Sequence, residues 1–192
     1  MAEQVETAKP QANPAGLGLI GFGMTTVLLS FVNAGVLPAG GESIVLPMAF
    51  AYGGLIQIIA GILEFKNGNT FGMVAFLSYG AFWWWFAFMV WLGDIHLLDL
   101  SAAGSAIAVA LLCWGVFTFY MWISTFKLNV ALWVVFLTLW ITYALLGLGA
   151  LYGVQALSRA GGWVGIICGL SACYTSFAIV TNTTFKRAVL PI

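Results

Sequence analysis

Charge is scarce in this chain. Six basic and six acidic residues among 192 leave no net charge and no basic patch, which excludes nucleic acid and acidic proteins as partners. Histidine occurs once, as His96, in an acidic loop with Asp94 and Asp99. A solvated loop of that kind needs no metal to explain it, and no metal site is assigned. The three cysteines, Cys113, Cys168 and Cys173, lie inside apolar stretches, as packing residues do, rather than in a disulfide or thiolate framework. No phosphate-cradling glycine loop and no set of catalytic acids, bases and nucleophiles can be found, so no cofactor and no enzymatic activity are assigned. The first residues carry Glu3, Glu6 and Lys9 in place of a basic start and short apolar core, so they do not read as a cleaved signal. Residues 1–12 read as a short flexible tail.

What the chain does have is hydrocarbon. Apolar residues make up 62% and charged residues 6%, a balance whose surface water would not tolerate, so the solvent is lipid. Six apolar runs are evident: Leu17 to Gly35, Ile44 to Leu63, Phe71 to Leu92, Ala102 to Ile123, Val130 to Leu151 and Gly162 to Thr181. Roughly 20 residues at about 1.5 Å rise cross the roughly 30 Å hydrocarbon layer as a helix. The runs lack the alternating polarity of barrel strands. The expected fold is all-α, a polytopic membrane protein of six transmembrane helices. Frequent glycine, including Gly147, Gly149, Gly161 and Gly165, implies close helix packing.

The few basic residues orient the chain. Lys9, Lys66, Lys127, Lys186 and Arg187 fall on one side of a six-span protein, and Arg159 lies alone on the other with Glu42, Asp94 and Asp99. The positive-inside rule then places both termini in the cytoplasm, in the cell membrane. Trp83, Trp84, Trp85, Trp91, Trp122 and Trp163 read as interface belt or lipid-facing bulk.

A repeat runs through the spans. Phe65-Lys66, Phe126-Lys127 and Phe185-Lys186 end the even-numbered helices, while Asn13, Asn69 and Asn129 begin the odd-numbered ones. The chain divides into three tandem helical hairpins, residues 13–66, 69–127 and 129–187, with 188–192 as a short cytoplasmic tail. Asparagine caps a helix by accepting a first-turn N–H, and three such helix starts would also favour an anion at one vestibule; both readings are open for Asn13 and Asn69. Counting inward, Phe22, Tyr79 and Leu139 lie nine or ten residues past these asparagines, roughly 14 Å into the membrane. Around a pseudo-threefold axis, three bulky side chains at one depth would narrow a pore; the other reading is ordinary core packing.

Polar residues beside them are candidates for a lining: Thr25, Thr26, Ser78, Thr138, and Gln57 with Glu64 seven residues on along the same helix face. Hydroxyls also satisfy themselves on their own helix, and Glu64 beside Lys66 has a simple explanation as an ion pair in water.

Certain segments carry a resemblance. Asn13-Pro14-Ala15-Gly16-Leu17-Gly18-Leu19, Gly21-Phe22-Gly23-Met24-Thr25-Thr26, Tyr52-Gly53-Gly54, Gly68-Asn69-Thr70-Phe71-Gly72, Ser78-Tyr79-Gly80 and Trp114-Gly115-Val116-Phe117-Thr118 resemble the acetate uptake transporter family, over a stretch running from residue 13 to the end. The family's usual signature has proline where this chain has Gly16. The resemblance implies a six-helix protomer with its own substrate path, assembled as a homohexameric ring. It also implies a hydrophobic constriction at the matching positions Phe22, Tyr79 and Leu139. The implied substrate is acetate, with succinate, propionate and formate as further short carboxylates, and protons as co-substrate if passage is symport rather than channel-like. Asn13, Thr25, Thr26, Gln57, Asn69, Ser78, Thr138 and the Tyr79 hydroxyl are the groups expected to touch it. The alternative is a channel for a neutral solute such as urea or ammonia in the same architecture.

Overall fold

The computed structural model describes residues 12–38, 40–100 and 103–192, so the expected N-terminal tail lies outside the described residues except for Ala12. Six helices are long and apolar enough to cross a membrane: α1 (Ala15–Asn33), α2 (Glu42–Lys66), α3 (Thr70–Asp94), α4 (Gly104–Thr125), α5 (Val130–Tyr152) and α6 (Gln155–Phe185). No strand occurs among the described residues.

The repeated asparagines cap the odd helices. Asn69 Oδ1 accepts the Gly72 N–H at 3.1 Å and Asn129 Oδ1 accepts the Leu132 N–H at 2.9 Å. Asn13 Oδ1 takes the Ala15 N–H at 2.9 Å, across the proline that opens α1. Two helices depart from the spans expected. The loop expected before Gly162 is already helical, because Gly153 in the left-handed conformation (φ 66°) ends α5 and α6 restarts at Gln155. Arg159 therefore sits in the first turns of α6 rather than in a loop. In α2, residues Ala49–Ile56 form a π-helix between α-helical Glu42–Met48 and Gln57–Lys66.

The helices pack in chain order with α6 returning against α1, and α3 reaches α4 through side-chain rings. The most extensive contacts join α6 to α1, α4 to α5 and α5 to α6. Helices α3 and α4 meet through rings: Tyr79 with Phe117 (centroids 5.5 Å) and Phe82 with Trp114 (5.2 Å). The middle hairpin is therefore held open by aromatic bulk. The α1–α6 seam is the opposite. Backbones approach until a Cβ on Gly169 would lie 2.8 Å from the Gly23 carbonyl, and one on Gly162 would overlap the Ala34 backbone. Ser176 Oγ donates to the Gly16 carbonyl across the same seam at 2.6 Å. Trp83 is core rather than belt, at 2% exposure, whereas Trp91 and Trp163 are exposed as a lipid contact would be. The C-terminal residues fold back on α6: Asn182 Oδ1 accepts the Val189 and Leu190 N–H groups, and the Tyr174 hydroxyl donates to the Pro191 carbonyl.

The glycine seam gives a stability prediction. Gly162→Val is expected to cost about 3 kcal/mol, the upper part of the overpacking range, and to lower the thermal midpoint in detergent by roughly 10 °C. Gly104→Val, where nothing lies within 4 Å of the added carbon, is expected to leave the midpoint unchanged. Equal midpoints for both variants would contradict the seam.

Candidate functional site: two cavities meeting at Phe22 and Leu139

Phe22, Tyr79 and Leu139 stand nine or ten residues past the asparagines that open α1, α3 and α5, about 14 Å along each helix. Phe22, Tyr79 and Leu139 are 5%, 3% and 3% exposed and belong to one apolar cluster inside the ring, so they turn inward and not toward acyl chains. The Phe22 and Tyr79 ring centroids are 5.8 Å apart.

Two cavities lie on either side of this layer. The cap-side cavity, of about 60 Å³, is lined by Phe22, Tyr79 and Leu139 together with Gln57, Glu64 and Asn69. The loop-side cavity, of about 310 Å³, shares Phe22 and Leu139 and continues past Thr26, Ser30, Thr142 and Tyr143 to Glu42 at its mouth. Apart from these polar groups the walls are largely apolar, and no lysine or arginine among the described residues lines either space.

Of the polar residues singled out from sequence, Thr26 lines the loop-side cavity, and Gln57 and Asn69 line the cap-side one. Buried Thr26 Oγ1, and both Gln57 Nε2 and Oε1, have no partner among the described residues, so each offers free hydrogen-bonding capacity. Asn69 has little left over: Oδ1 caps α3 and Nδ2 donates to Glu64 Oε2 at 2.9 Å. Thr25, Ser78, Thr138 and Asn13 line neither cavity. Thr25 donates to the Gly21 carbonyl at 2.8 Å and packs against Gly53 of α2. Thr138 donates to the Val134 carbonyl at 2.7 Å. Both hydroxyls are spent on their own helix, as serine and threonine in lipid often are. Asn13 is exposed and engaged in its cap.

The Tyr79 hydroxyl is also committed. It lies 2.9 Å from Thr118 Oγ1, which itself donates to the Trp114 carbonyl at 2.7 Å; with its single proton spent there, Thr118 accepts and Tyr79 donates. The ring is thereby pinned to α4. Thr118, Thr142 and Tyr143 had no spacing signal in the sequence.

Glu64 corrects its expected environment. It is 2% exposed, and no ion pair to Lys66 occurs among the described residues. Oε2 accepts from Asn69, while buried Oε1 has no partner among the described residues. The heptad spacing from Gln57 did carry that signal, since it stacks the two groups on one face of α2.

Comparison with known proteins agrees with this architecture. The family model described as the GPR1/FUN34/yaaH family matches residues 2–192. The succinate-acetate/proton symporter SatP of Escherichia coli strain K12 is 46% identical over 181 residues, covering 94% of this chain and 95% of that protein. The ammonia transport outward protein 2 of Saccharomyces cerevisiae is 39% identical over 171 residues, covering 87% of this chain and 61% of that protein. The solved structure of the bacterial acetate channel SatP superposes with a TM-score of 0.91 at 44% identity, covering 95% of this chain and 99% of that one. By sequence over nearly its whole length and by fold, this chain is a member of the GPR1/FUN34/yaaH family.

Proposed function

We propose that this protein carries acetate and other short carboxylates, succinate among them, across the cell membrane along a path through each protomer, and that it is a transport protein rather than an enzyme. The observation that carries this reading is the pair of cavities abutting at Phe22 and Leu139, each holding buried polar atoms without partners among the described residues. Similarity to a SatP symporter and a SatP acetate channel supports the choice of substrate. Phe22, Tyr79 and Leu139 act as the constriction, an apolar layer that water and small ions cross poorly. Thr26 and Gln57 supply hydrogen bonds on its two sides.

A bare carboxylate in an apolar channel is costly, and no cation among the described residues lines the path to offset it. Glu64 supplies the remedy. Two carboxyl groups meeting at hydrogen-bond distance cannot both stay ionised, so the substrate and Glu64 share one proton in the cap-side cavity. The pair then carries one negative charge instead of two, and handing that proton to the substrate would make its passage electroneutral. Both termini face the cytoplasm in this reading, and the protomers assemble as a ring of six.

The test is labelled-acetate uptake into liposomes containing the purified protein, with an imposed pH gradient. Uptake above that of protein-free vesicles, competed by propionate, formate and succinate but not by urea, is expected. Collapse of the gradient is expected to reduce accumulation. Flux of ammonia with no competition by acetate would instead establish the neutral-solute reading, which the similarity to the yeast ammonia transport protein raises.

A further inference from the structure

The backbone of α2 changes hydrogen-bonding pattern once, at the π-helical Ala49–Ile56, and this change sets which way Gln57 and Glu64 point. Buried residues in the first part of α2 include a run at every fourth position, Val45, Ala49, Gly53 and Gln57, with Gly54 buried beside it. Four residues overshoot an α-turn by about 40°, so along an uninterrupted α-helix Gln57 would stand about 120° around the axis from Val45. π-turns, whose hydrogen bonds span five residues, hold more residues per turn and take up this excess. Gln57 returns to the inner face, and Glu64 follows one heptad on.

The wide turns have an external hold. The Trp84 indole N–H, from α3, donates to the Phe50 carbonyl at 2.9 Å. The Trp84 ring lies directly over Gly54: a Cβ at that position would overlap the indole, and would lie 2.7 Å from the Ala49 carbonyl. Trp84 is half-buried and lines neither cavity. A side chain outside the path therefore clamps the one segment that fixes the rotation of two groups inside it.

We propose that Trp84 is a positioning residue for transport, holding the π-helical turns so that Gln57 and Glu64 face the cap-side cavity. The proposal rests on the reading of Gln57 as a substrate-binding group. Without the indole N–H, the Phe50 carbonyl loses its second partner and the segment is free to relax toward α-helical turns, rotating both groups off the path. Loss is confined to binding, because Phe22, Tyr79 and Leu139 stand on other helices.

Acetate uptake by the full chain in liposomes, measured against concentration, tests this. Trp84→Phe is expected to raise the half-saturating concentration about 5-fold, the size of one hydrogen bond's net contribution, with maximal flux per protein unchanged. Trp84→His, which keeps a ring N–H, is expected to fall between wild type and Trp84→Phe. A Gln57→Ala change is expected to raise the same constant, and Trp84→Phe combined with Gln57→Ala to raise it by less than the product of the two single effects, since part of the Trp84 effect acts through Gln57. Wild-type constants in Trp84→Phe, equal loss in the His and Phe variants, or multiplying effects in the double variant would each overturn the role of Trp84. Wild-type constants in Gln57→Ala would instead overturn the binding-site reading on which it rests.

Discussion

Leu139→Ala is expected to raise acetate flux about 10-fold, equivalent to about 1.4 kcal/mol off the barrier, and to narrow the preference for acetate over succinate. Leu139 and Phe22 are the two side chains that line both cavities, so trimming either joins the two spaces where the apolar layer now separates them. Water enters a wider and less apolar gap more readily, and the desolvation cost of a carboxylate falls with it. Phe22→Ala is expected to act in the same direction. Tyr79→Ala should do less for flux and more against stability, because Tyr79 lines the cap-side cavity only and bonds Thr118 on α4. Large-to-small changes in packed cores cost about 2–5 kcal/mol, so fluxes are compared per amount of folded protein in the vesicles. If rate and selectivity match wild type in all three variants, these residues are core and not a constriction.

Glu64→Gln is expected to flatten the dependence of flux on pH. Under the proposed proton sharing, the proton must be present for substrate to occupy the cap-side cavity, so wild-type flux is expected to rise as pH falls and decline as pH rises. The amide of glutamine donates a hydrogen bond as a protonated carboxyl does, keeps an oxygen for Asn69 Nδ2, and does not titrate. Where a proton is limiting, occupancy changes about tenfold per pH unit; the variant is expected to change less than about twofold over the same range. Protein-free vesicles, measured at every pH, remove the contribution of acetic acid crossing lipid unaided. A wild-type slope in Glu64→Gln would show that Glu64 holds no proton relevant to passage.

Much of the architecture was legible in the composition because lipid leaves few choices. Runs of about 20 apolar residues in hydrocarbon satisfy their backbones as helices, and six of them emerged as six helices. The misreadings have particular causes. Arg159 and its polar neighbours looked like a loop, yet Gly153 turns the chain sharply enough for α6 to begin at once. Trp83 looked like interface material, yet it packs against Gly53 of the π-helical segment, where the missing side chain makes room for an indole. Thr25 and Thr138 looked like lining residues, yet their hydroxyls close onto carbonyls of their own helices.

The division between what was readable and what was not follows from helix geometry. Distance along a helix is linear in residue count, about 1.5 Å at each step, so three capping asparagines sufficed to count Phe22, Tyr79 and Leu139 equally far along their helices. Azimuth advances by about 100° at each step, and a single residue of altered winding moves a side chain to another face. Only the packed ring, with its glycine seam, aromatic spacers and π-helical turns under Trp84, decided that Gln57, Glu64 and Thr26 face the cavities while Thr25, Ser78 and Thr138 do not.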